Sequence, residues 1–110
     1  TGWAGDWVVY YASVDHLDQL EQGTMTVKLD GKQLDATAKF GNSTLHLMGM
    51  ISEDEQNVNG EYTQGSESGW FYWEKVSGSQ FGGTMGNLFA FCASRKLEDR
   101  PDRCYIGMLS

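Results

Sequence analysis

The chain has 110 residues, a formal net charge of −7 and a sequence pI near 4.6. That length fits one domain. The charge argues against nucleic acid, because a phosphate-tracking surface needs clustered Lys and Arg, and only Lys28, Lys32, Lys39 and Lys75 precede residue 95. The acidic body favours solubility and would suit a cationic partner.

Hydrophobic residues make up 40% and aromatics 13% of the composition, enough for a core, since each buried aromatic removes roughly 150–250 Å² from water. The 14 glycines and single proline point to tight turns and strand kinks, not to a disordered linker. No apolar run approaches the ~20 residues of a membrane helix. The chain opens at Thr1 without a methionine or a signal peptide, as a trimmed or mature chain does.

Period-two hydrophobicity recurs along the chain and is broken by glycine and asparagine. The first run spans residues 6–13. The polar stretch 14–22 follows, and its Val14, Leu17 and Leu20 predict a short helical turn between the first two strands. Residues 23–29 set Met25, Val27 and Leu29 against Thr24, Thr26 and Lys28. Asp30-Gly31 signals a two-residue hairpin. Residues 32–40 alternate Leu34, Ala36, Ala38 and Phe40 with Asp35, Thr37 and Lys39. Gly41-Asn42 turns into 44–52, and an acidic loop leads to 58–63. A loop at 64–68 precedes the aromatic run 69–76. Ser77-Gly78 turns into 80–85, and Gly86-Asn87 into 88–94.

Eight sequential hairpin strands predict an all-β, eight-stranded, antiparallel up-and-down barrel, because closure removes exposed sheet edges. Gly82 and Gly83 fit the bends that closure requires. A sandwich or an open meander is the alternative. Residues 1–110 read as this one domain, with 95–110 a C-terminal tail.

Cys92 and Cys104 are the only cysteines, and their spacing matches no zinc motif. They form a disulfide or stay as two buried thiols. The charged tail around Cys104 would bury a free thiol poorly, which favours the disulfide. Such a loop stabilises by about 3 kcal/mol in the chain-entropy model. A disulfide implies a secreted, periplasmic or otherwise extracytoplasmic protein.

Gly5-Asp6-Trp7 at the start of the first strand and Arg95 directly after the last one resemble the calycin pattern of lipocalins, fatty-acid-binding proteins and avidins. The resemblance implies that Trp7 plugs one barrel end and that Arg95, or Lys96, stacks on its ring as a lid. Gly69-Trp70-Phe71-Tyr72-Trp73 is also similar to an avidin-type strand with two spaced tryptophans. No set of polar biotin contacts accompanies it.

Several strands are apolar on both faces. Trp70 and Tyr72 share one face of the sixth strand with Glu74, and Phe71 and Trp73 share the other. Leu45, Leu47 and Ile51 oppose Met48 and Met50, while Leu88 and Ala90 oppose Phe89 and Phe91. One face can line a cavity in which Tyr11, Trp70, Tyr72 and Glu74 meet a ligand. The other, with Phe71, Trp73, Met48, Phe89 and Phe91, is then an outer surface for a protein partner. Tail residues Tyr105, Ile106, Met108 and Leu109, or a second copy in a homodimer, would otherwise cover it.

Chemistry has little support. Asp15-His16 with Asp18, or Glu74, could supply an oriented base, but helix-surface polarity explains the first cluster equally well, and His46 sits in no motif. Residues 52–57 are rich in carboxylates yet lack the spacing of a calcium loop. Asn42-Ser43-Thr44 matches a glycosylation sequon. The function expected is a non-enzymatic binding domain that needs no cofactor and no metal. It would hold a small apolar ligand or present an aromatic face to a protein. A protease or hydrolase inhibitor, an enzyme with its site at the barrel mouth and an oligomer-forming module are the alternatives.

Overall fold

The alternating runs pair into one sheet that closes on itself. The computed structural model describes residues 3–13, 15–16, 19–77, 79–86 and 89–96. Its strands are β1 (Gly5–Ser13), β2 (Glu21–Asp30), β3 (Gln33–Phe40), β4 (Ser43–Ile51), β5 (Asn57–Gln64), β6 (Glu67–Ser77), β7 (Gln80–Met85) and β8 (Phe89–Ser94). Each pairs antiparallel with its neighbours in sequence, and β8 returns to β1 through partners such as Tyr10 and Cys92. The barrel is therefore all-β, eight-stranded and up-and-down.

The helical turn expected between the first two strands is not seen. β2 begins at Glu21, which pairs with Tyr11, so the strand takes up the end of that stretch. Among the described residues of the connection, the backbone bonds His16 N to Ser13 O and Gln19 N to His16 O mark turns. Val14, Leu17 and Asp18 lie outside the described residues.

Three hairpins use the same device. The pairs Asp30–Gln33, Phe40–Ser43 and Gln64–Glu67 each close a two-residue loop. Each loop opens on a glycine, Gly31, Gly41 or Gly65, at φ of 63°, 59° and 61°. The second loop residues, Lys32, Asn42 and Ser66, do not share a positive φ. That combination is the type II′ pattern, whose twist matches the flanking strands. The first of these loops is thus Gly31-Lys32, one residue later than the Asp30-Gly31 signal suggests.

Alternation fills the interior. β2 sends in Met25 and Val27, β3 sends Leu34, Ala36 and Ala38, and β4 sends Leu45, Leu47 and Ile51. The larger rings come from the other half of the barrel. Trp73 stands at the centre, its ring 4.5 Å from Phe71, 4.8 Å from Phe81 and 5.4 Å from Phe91. Packing four large rings in so small a barrel requires bare backbone opposite them. Gly49 and Gly60 face each other across β4 and β5, and the Phe71 ring reaches to 3.0 Å from where a Gly49 Cβ would sit. A Cβ on Gly83 would stand 1.7 Å from the Tyr72 carbonyl oxygen. These glycines let neighbouring backbone and rings approach more closely than a Cβ would allow.

Candidate functional site

The two ends of the barrel are built differently. One end is sealed by the chain entering β1. Trp3 and Trp7 are both buried. Trp7 donates from Nε1 to the Trp3 carbonyl at 2.9 Å, and Trp3 donates from Nε1 to the Glu55 carbonyl at 2.9 Å. The Arg95 guanidinium lies over the Trp7 ring, 3.8 Å from its centroid. It also donates to the Asp6 carbonyl at 2.9 Å and to the Ala4 carbonyl at 2.7 Å. Burial holds the Arg95 pKa below the ordinary arginine value, while Asp6 opposes the shift. Gly5, at φ of 107°, turns the chain beneath this lid.

The acidic loop belongs to the same end. Asp54 accepts from the Ser52 hydroxyl at 2.6 Å and from the Gln56 backbone N–H at 3.1 Å. These bonds hold its carboxyl below the usual carboxylate range, the Ser52 bond most of all. The loop turns tightly enough to put Glu55 at φ of 61°, which aims the Glu55 carbonyl at Trp3. Its carboxylates shape a turn. Among the described residues no group of His, Cys, Asp and Glu is placed to hold a metal.

At the opposite end the described residues leave a mouth. Tyr11, Phe40, Leu45, Tyr62, Met85 and Phe89 form the walls of a mouth of about 200 Å³. Ser43, Gln64 and Glu67 complete its lining as a polar arc. The aromatic side is ordered edge to face: Tyr11 stands 4.8 Å from Phe40 at 88° and 5.8 Å from Phe89 at 80°. Tyr62 lies over Gly69, its cross-strand partner, with ring atoms where a Cβ would otherwise be. Beneath this layer Phe40 meets Phe91, and the barrel is filled.

Of the residues expected to hold a ligand, only Tyr11 reaches this mouth. Trp70, Tyr72 and Glu74 point outward, and Phe71 and Trp73 point in, the reverse of the expected faces. Pairing explains the reversal. Trp70 lies beside Glu61 and Tyr72 beside Asn59 on the wet face, whereas Phe71 and Trp73 lie beside Gly60 and Val58 on the dry one. Phe91 is also core, and Phe89 belongs to the mouth, so neither joins Met48 in an outer partner surface. On the outside, Tyr72 donates to Asn57 Oδ1 at 3.0 Å, and desolvation, then Glu74, then Asp54 raise its pKa.

Two outer regions remain apolar. Met48, Met50 and Trp70 are 48%, 57% and 44% exposed on β4 and β6. On β1 and β8, by contrast, outward-facing Tyr10, Ala12, Ala90 and Cys92 are buried. The Tyr10 and Ser94 hydroxyl oxygens lie 3.4 Å apart there. Cys104 and the tail residues Tyr105, Ile106, Met108 and Leu109 lie outside the described residues. Asp15 and His16 are exposed in the β1–β2 connection at the mouth end, while Glu74 lies toward the sealed end of β6. The structure does not bring them together. His46 pairs with Asp35 at 3.0 Å on the outer surface.

The residue signals missed in the sequence are Trp3 and the rim. Trp3 stands four positions before Trp7, where its backbone carbonyl accepts the Trp7 indole N–H. The rim residues flank the turns of the mouth end on the inward register, as Phe40 and Ser43 do. The site defined by the described residues is the mouth of a filled antiparallel β-barrel at the end away from Trp3 and Trp7. No family model, no curated protein and no solved structure matches this chain.

Proposed function

We propose that this domain is a non-enzymatic binding module of calycin-like architecture, which grips a small apolar group in the mouth of its barrel. The observation that carries the proposal is the asymmetry of the ends: one is sealed by Trp3, Trp7 and Arg95, the other opens on aromatic walls with a polar arc. An apolar floor with a few convergent polar groups is the usual form of a small-molecule site. At about 200 Å³ the mouth is smaller than most such sites, which begin at roughly 300 Å³. It suits a short chain or a single ring, or the end of a longer molecule. The sequence-level case for a Cys92–Cys104 disulfide supports an extracytoplasmic setting.

Hexanol titrated into isotope-labelled protein tests the proposal by NMR. Amide shifts should cluster at Tyr11, Phe40, Tyr62 and Phe89. Ser43→Trp, which fills the mouth from an exposed rim position, should abolish them while the rest of the spectrum stays folded. Binding that survives Ser43→Trp places the ligand elsewhere.

A second reading rests on Met48, Met50 and Trp70, exposed on the outer face of β4 and β6 with Glu61 of β5 between Met48 and Trp70. Such a patch suits a protein partner, and Trp70→Ala would weaken that contact without altering hexanol binding.

A further inference from the structure

The mouth carries a charge bias that grip on an apolar group alone does not require. Strand alternation brings one side chain from each strand to the inner face of the rim. On β6 this is Glu67, which lines the mouth beside Gln64 of β5; Glu21 of β2, opposite Tyr11, has the same register just outside that lining. Both carboxylates are exposed. Among the described residues no Lys or Arg lies on the inward register of these strand ends, and Asp15 and His16 are exposed together in the β1–β2 connection beside them. Lys39 precedes Phe40 and so takes the other face of β3, and His46 is held by Asp35 on the outside.

A head group that stays at the rim while its apolar body enters the mouth therefore meets carboxylates and ring faces. The ring quadrupoles of Tyr11, Phe40 and Phe89 attract a cation as well. An anionic head meets like charges instead, on a chain whose net charge of −7 adds to the repulsion. Given that the mouth is the binding site proposed above, we infer that it selects apolar groups ending in a cationic amine or amidine and discriminates against carboxylates of the same shape.

Three probes with one body and different heads test the inference: hexylamine, hexanol and hexanoate, titrated at pH 7 and low salt with amide shifts at the rim as the readout. Hexylamine should bind several-fold more tightly than hexanoate, with hexanol between them, the size of effect that exposed ion pairs allow. The contrast should shrink as salt is added. Glu67→Gln combined with Glu21→Gln should bring the three affinities close together, circular dichroism showing an unchanged fold. Hexanoate binding at the rim as tightly as hexylamine overturns the charge selection and leaves the mouth as a binding site. A contrast that persists in the double variant also overturns it, since the carboxylates then do not cause it. If no probe shifts the rim, the mouth binds nothing of this class, and both proposals fall.

Discussion

The Arg95 guanidinium stacks on the Trp7 indole at 3.8 Å while two backbone carbonyls, those of Ala4 and Asp6, accept its N–H groups. One side chain thereby ties the end of β8 to the entry of β1 and caps the core ring beneath. Only a planar, forked cation can stack and donate twice at once.

Arg95→Lys should therefore lower stability despite keeping the charge. The expected loss is about 1–2 kcal/mol, from a weakened ring contact and an unmade bond to one carbonyl. Arg95→Met, which keeps the stem, should cost more. Urea denaturation of the three proteins measures the order, and a Lys variant equal to wild type would show that charge alone suffices.

Trp73 is fully buried, yet its Nε1 finds no hydrogen-bond partner among the described residues. A buried donor left unsatisfied costs roughly 1–3 kcal/mol. Trp73→Phe removes that donor along with some packing, so it should be milder than an ordinary core truncation, about 1 kcal/mol or less. Trp73→Ala should cost about 3–5 kcal/mol through the cavity it leaves. A Trp73→Phe loss in thermal denaturation as large as that of Trp73→Ala would overturn the mild cost expected once the donor is gone.

Gly83→Ala places a methyl 1.7 Å from the Tyr72 carbonyl oxygen, so the β6–β7 pair must part. The loss should exceed that of an ordinary overpacking change, more than about 3 kcal/mol. Gly31→Asn, in an open type II′ turn where a Cβ meets nothing, should cost far less. Comparing their denaturation midpoints separates close approach from turn strain.

Asp54 has a lowered carboxyl pKa in the folded state, set first by the Ser52 hydroxyl and next by the Gln56 N–H. Its contribution is present above the ordinary value of 3.8 and is lost as pH falls from there through the lowered value. The loop that offers the Glu55 carbonyl to Trp3 should loosen in that acid window. The Trp3 indole N–H resonance should move there in wild type, and Asp54→Asn should show the loosened position already at neutral pH.

The disulfide proposed between Cys92 and Cys104 is open to thiol counting on unfolded, unreduced protein, with none expected. Cys104→Ser should cost roughly 2–4 kcal/mol if the bond forms. Two reactive thiols would remove the bond and, with it, the ground for an extracytoplasmic setting.

Much of this architecture was legible in the residues. Alternation and glycine turns located all eight strands with ends within two residues, because both are local properties of the backbone. The pairing of Trp7 with Arg95 was legible only through a resemblance, since 88 positions separate them. The inward face of β6 was not legible from β6 itself, where every candidate residue is large and apolar on both sides. It could have been read from β5: Gly65-Ser66 makes Gln64 and Glu67 partners, which sets Trp70 beside Glu61 and Phe71 beside Gly60. Treating residues 64–68 as a longer loop hid that register, and a one-residue slip exchanges the two faces.

The sequence alone thus determined which segments extend and where they turn, because these depend on neighbours along the chain. Only the closed sheet decided that Phe71, Trp73, Phe81 and Phe91 fill the interior, and that Tyr11, Phe40 and Phe89 are left to line its mouth. Those roles depend on which backbone comes close across the barrel: bare glycine admits the Phe71 ring at Gly49 and the neighbouring backbone at Gly60, and Trp3 and Trp7 plug the end away from the mouth.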